Sequence, residues 1–123
     1  MLGNLRLTLG AWLLVAPLSF GCTEQPTADP QDVVTAFFGA VAGGDCQEAL
    51  AWLDGAAKAR FEREPCEEAL ESLQRKQFER VLSAEVDGRD AKVQLVRVRF
   101  AGEREPVIIG VRRTRRGHRI VSF

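Results

Sequence analysis

Residues 112–119 read RRTRRGHR, and five of the eight are arginines: Arg112, Arg113, Arg115, Arg116 and Arg119. His118 stands among them and is the one histidine of the chain. A guanidinium is a planar fork that bonds both oxygens of a phosphate or a carboxylate, so the chemistry of such a run is recognition of anions. The same residues have a plainer use, because charged tips and edges keep sheets from pairing with one another. Both readings stand open in the sequence. Bond-making chemistry is harder to assemble. A catalytic thiol needs a histidine base, and His118 lies in a strongly cationic run. The three cysteines, Cys22, Cys46 and Cys66, do not join that distant histidine in a four-ligand set of known spacing, so no metal is expected. There is no tyrosine, no glycine-rich phosphate loop and no serine-nucleophile motif, and no cofactor is expected.

Charge balances over the chain, 17 basic against 17 acidic side chains, so bulk charge does not drive it onto nucleic acid. The balance hides an asymmetry. Residues 24–71 hold eleven acids against three bases, whereas residues 72–123 hold six acids against thirteen bases. Such a split points to a dipolar fold or to a basic surface with a purpose.

The first 21 residues, MLGNLRLTLGAWLLVAPLSFG, carry one charge, Arg6, ahead of an apolar run from Leu7 to Phe20. The run is shorter than the roughly 20 apolar residues of a spanning helix. A basic start, a short apolar middle and small residues at the end describe a secretory signal peptide over residues 1–21. The stretch LSFGC resembles a bacterial lipobox, which implies cleavage after Gly21 and a diacylglyceryl thioether with palmitate-like acyl chains on Cys22. An ordinary signal-peptidase cut after Ser19-Phe20-Gly21 is the alternative, leaving Cys22 unmodified. The polar, proline-containing residues 22–29 then form a tether. Export places the chain in an oxidising compartment. With Cys22 lipidated, Cys46 and Cys66 are left to form a disulfide. The localisation expected is the outer side of a bacterial cell membrane, or the outer membrane, with the lipid as anchor.

These residues need elements to hold them. Asp29 suits an N-cap and Pro30 the first position of a helix whose Val33, Val34, Phe37, Phe38 and Val41 recur at three- and four-residue spacing. Gly43-Gly44 ends it. Asp45 caps a second helix, with Glu48 as its capping-box partner and Ala49, Leu50 and Leu53 facing in. Asp54-Gly55 breaks the chain before a short third helix that turns Phe61 inward. Pro65 opens a fourth, with Cys66, Ala69, Leu70 and Leu73 on one face. Beyond residue 77 the apolar period falls to two. Phe78, Leu82, Ala84 and Val86 mark a first strand, and Asp87-Gly88 a tight turn. The second strand changes face between Val93/Leu95 and Val96/Val98/Phe100, which predicts a bulge or a strong bend. Val107, Ile109 and Val111 mark a third strand, and residues 118–123 a fourth. Helices followed by an antiparallel meander make the fold class α+β, a single domain over residues 30–123 with about four strands.

Pro30, Val33, Val34, Phe37, Phe38 and Ala40, followed by Gly44-Asp45, Ala49 and Leu53, resemble the opening of nuclear-transport-factor-2-like domains, the cystatin-like cone fold, and in particular small bacterial lipoproteins of that kind. The resemblance implies helices packed into the hollow of a strongly curved sheet. Enzymes of that superfamily, ketosteroid-isomerase or dehydratase in type, use aspartate, histidine and tyrosine in the cone. Asp45 and Asp54 are the carboxylates nearest such a pocket, and helix capping accounts for both. The expectation is a noncatalytic, membrane-anchored domain that binds a partner protein, a small ligand or an anionic envelope surface. A cone-fold enzyme using Asp45 or Asp54 is the alternative. A buried carboxylate in a deep pocket would favour the enzyme, and a cone filled by Phe37, Phe38, Phe61 and Leu73 would favour the binding domain.

Overall fold

A computed structural model describes residues 28–123. The expected signal peptide, Cys22 and most of the tether lie outside the described residues. The fold is α+β, with four helices followed by a four-stranded antiparallel sheet that is curved and not closed. The helices are α1 (Pro30–Ala42), α2 (Cys46–Ala51), α3 (Gly55–Phe61) and α4 (Cys66–Gln74). The strands are β1 (Phe78–Asp87), β2 (Asp90–Phe100), β3 (Val107–Thr114) and β4 (Gly117–Ser122), in the order β1-β2-β3-β4.

Local chemistry sets the helix starts. The Asp29 carboxylate accepts from Asp32 N–H at 2.9 Å, and the Asp45 carboxylate from Glu48 N–H at 3.0 Å. Each satisfies one of the donors that a helix start leaves free. The expected capping box at Asp45 is one-sided, because the Asp45 N–H donates to the Ala40 carbonyl instead of to Glu48. Asp54 caps α3 through Gly55 N–H at 2.8 Å, and Gly55 has φ +54°. Pro65 is the cap residue of α4 and not its first helical position. Cys46 and Cys66 form a disulfide that ties the start of α2 to the start of α4 across 20 residues.

α1 supplies the middle of the core. Val33, Val34, Phe37, Phe38 and Val41 are all buried, as are Ala49, Leu53 and Phe61 from the next two helices. The sheet answers with Val96, Val98, Phe100, Ile109, Val111 and Ile120. Phe38 stacks on Phe78 with ring centroids 4.5 Å apart and meets Phe100 edge-on at 5.3 Å. Leu50 and Leu73, expected inside, are only partly buried against this cluster.

One strand expectation needs correction. β1 does not alternate through Leu82. Its pairing with β2 shifts between Phe78 and Arg80 and again between Val81 and Ser83, so Glu79 and Leu82 are extra residues. The partly buried residues become Phe78, Val81, Ala84 and Asp87, at a spacing of three. Leu82 and Val86 are exposed. The face change in β2 coincides with an irregularity against β1, where the register jumps from Val86↔Gln94 to Asp87↔Asp90 and leaves residues 91–93 of β2 without partners on β1. β2 runs without a register shift along β3 from Val93↔Arg112 to Val98↔Val107. By simple alternation Val93 lies on the face opposite Val96 and Val98.

One long-range pairing positions the site. Ile120 N–H donates to the Trp52 carbonyl, and Asp54 N–H to the Ile120 carbonyl, each at 2.8 Å. Leu53 thereby bridges Ile120 in parallel and covers the outer edge of β4 at that residue. Among the described residues no helix is long and apolar enough to cross a membrane.

Candidate functional site

The arginine run forms the β3–β4 hairpin. Arg113 pairs with His118 and Thr114 with Gly117, leaving Arg115 and Arg116 at the tip. The Thr114 hydroxyl donates to the Gly117 carbonyl at 2.7 Å and accepts from Arg116 N–H at 3.1 Å. Gly117 has φ +101°, a conformation open to glycine and strained for other residues. The turn therefore fixes the stem while both tip side chains project from it.

The five arginines do not act together. Arg112 donates to the Asp90 carboxylate on β2 at 3.0 Å and stays apart from the rest. Arg113, Arg115, Arg116, His118 and Arg119 line an open notch of about 510 Å³, closed on its far side by Ala28, Val33 and Trp52. The notch exists because three separate pieces of chain meet there. The hairpin brings the cations, the Trp52–Asp54 segment is stapled to β4 through Ile120, and the residues preceding α1 lie against His118.

Arg119 is the most constrained of the cations. Its guanidinium carbon lies 5.3 Å from the centre of the Trp52 ring, within the range of a cation–π contact. Its Nη1 donates to the His118 carbonyl at 2.8 Å. Burial pushes its pKa below the usual arginine value, the neighbouring Arg116 pushes the same way, and Asp54 opposes both. Arg119 Nε and Trp52 Nε1 are buried with no hydrogen-bond partner among the described residues. Leaving a buried donor unmatched costs about 1–3 kcal/mol, so these two are primed for an acceptor. Arg116 reaches Asp54 at 3.8 Å with both side chains largely exposed, a contact of small energetic value. Arg113 and Arg115 have no ion pair among the described residues. His118 Nδ1 donates to the Ala28 carbonyl at 3.0 Å, because a carbonyl only accepts. In the neutral imidazole Nε2 is then an acceptor.

Asp45 and Asp54 do not meet in a pocket. Each carboxylate caps a helix, and neither lines the apolar cavity of about 150 Å³ between the helices and the sheet. That cavity is walled by Phe38, Phe61, Leu73, Phe100 and Ile109, with Arg60, Glu64 and Lys76 also lining it. No group of three or more metal-ligating side chains occurs among the described residues.

Sequence reasoning reached the arginines but did not place Trp52 or Ala28 beside them. The signal for Trp52 was weak, since an aromatic near a helix end usually packs in the core. No family model, no curated protein and no solved structure matches the chain.

Proposed function

We propose that the chain is an exported lipoprotein, anchored through acyl chains on Cys22, whose nuclear-transport-factor-2-like domain binds without catalysis and sets its basic hairpin against an anionic surface of the envelope. The observation that carries this reading is the bond from His118 Nδ1 to the Ala28 carbonyl. It joins the hairpin to the start of the domain, where the tether begins. Six residue steps separate Cys22 from Ala28, and an extended chain covers at most about 3.6 Å per residue. Ala28 is thus held within about 22 Å of the lipidated residue, and His118 lies one hydrogen bond beyond it. At that range even weak contacts with headgroups gain from a high effective concentration. The cavity between the helices and the sheet is walled mainly by apolar side chains, and the carboxylate on its lining, Glu64, is exposed, which supports a binding role over a catalytic one.

Two measurements test the two halves. Cys22→Ser leaves an unprocessed precursor or releases the protein from membranes; a variant processed and fractionating like the parent refutes the anchor. For the hairpin, the mature chain is placed in vesicles with spin-labelled headgroups. Quenching of Trp52 is expected in anionic vesicles and not in neutral ones, and it falls at 1 M salt, where the Debye length drops to about 3 Å. Unchanged quenching when Arg113, Arg115 and Arg116 become Ser refutes contact through the hairpin.

A further inference from the structure

We infer that the notch between the β3–β4 hairpin and Trp52 is a binding site for one phosphoryl group, held by Arg113, Arg119 and the Trp52 indole. This deepens the anionic-surface reading by naming the group recognised, and it rests on that reading only for the source of the group.

Donors reach this notch from three parts of the chain: Arg113 from β3, Arg119 from β4, and Trp52 from the end of α2. Two of the donor atoms, Arg119 Nε and Trp52 Nε1, are buried and without a partner among the described residues. An indole donates and never accepts, and a guanidinium likewise has no acceptor. The missing ligand must therefore supply acceptors, and the surrounding cations require it to be negative. A carboxylate presents its two oxygens in one plane. A phosphoryl group presents oxygens in several directions and so suits donors that arrive from a strand pair and a helix end. Charge-assisted bonds of this kind are short and strong. Asp54 pairs with Arg116 and accepts from Gly55 N–H, and among the described residues no carboxylate pairs with Arg113 or Arg119. A phosphomonoester lipid headgroup and free inorganic phosphate offer the same chemistry.

The chain carries two tryptophans, Trp12 and Trp52, so Trp12→Phe makes Trp52 the sole reporter within the site. The full chain with that change, in nonionic micelles, is titrated with inorganic phosphate at constant ionic strength set by chloride. A saturable change in Trp52 fluorescence is expected with phosphate and not with acetate. Arg119→Lys keeps the charge but removes Nε and the fork, and is expected to weaken phosphate binding at least tenfold. Arg113 is exposed, so Arg113→Gln leaves packing intact and is expected to weaken binding by a similar factor. The inference is overturned by the absence of saturation, by acetate acting as well as phosphate, or by both variants titrating like the parent. Doping the micelles with phosphatidic acid separates the sources. Competition with phosphate identifies the headgroup, and its absence identifies free phosphate; either result keeps the notch as a phosphoryl site. A failed anchor, read from Cys22→Ser, leaves the phosphate titration unaltered, so the two readings fail separately.

Discussion

Replacing both Cys46 and Cys66 with Ala removes the one covalent link between the helices, and the structure indicates how much should be lost. α2 spans six residues and buries only Ala49, and α4 buries only Ala69 and Leu70. Neither helix holds its place by apolar area alone. The bridge closes a loop across 20 residues. In the chain-entropy account, a loop of that size restrains the unfolded chain by about 3 kcal/mol at 25 °C. Small domains have total stabilities of about 5–15 kcal/mol, so this is a large share. For a domain of this length each kcal/mol moves Tm by about 4–8 °C, giving an expected drop of about 12–24 °C. Urea unfolding of parent and double variant, followed by far-UV circular dichroism, measures the free energy directly. The m value should rise as well, because the uncrosslinked chain exposes more surface when unfolded. A loss below about 1 kcal/mol with an unchanged m value would refute the reasoning and place the stability of α2 and α4 in their packing.

Phe38→Ala removes a ring that is 4% exposed and lies against both Phe78 and Phe100, so a loss of about 4 kcal/mol is expected in the same urea assay; under 2 kcal/mol would mean that the neighbours collapse into the space. Leu82→Ala and Val98→Ala separate the bulged strand from an alternating one. Leu82 is the extra residue of the β1 bulge and should cost under about 0.5 kcal/mol, whereas the fully buried Val98 should cost about 2 kcal/mol. Equal losses would show that Leu82 packs inward.

The helical half was legible because its signals are local. Asp29, Asp45 and Asp54 each act on an amide within three residues, and the apolar stripe of α1 needs only its own period. The disulfide followed from chemistry and elimination. β1 was misread because Glu79 and Leu82 look like ordinary strand residues. Their status as extra residues is defined only by the register with β2. The site was half legible for the same reason. The arginines are neighbours in sequence, but the Ala28–His118 bond joins residues 90 apart, and Trp52 reaches the hairpin only through the backbone of Ile120. No short-range pattern encodes those meetings.

The plain explanation of the arginine run, protection of a sheet edge, fits the observed topology poorly. Edge protection is useful where a strand offers unpaired backbone. On β4 the backbone of Ile120 is already taken by Trp52 and Asp54. The other edge belongs to β1, and there the bulges at Glu79 and Leu82 interrupt the ladder. At the hairpin the cations carry a cost. Arg112 and Arg119 stand directly opposite each other across β3 and β4, an arrangement that repels. The two are drawn apart, Arg112 to Asp90 and Arg119 to the face of Trp52. That separation leaves Arg119 Nε and Trp52 Nε1 buried and unmatched beside Arg113. Local rules that a fold breaks without gain in stability are where function is to be sought. At the notch itself Arg116 acts against the charge of Arg119, and a bound anion would offset that cost.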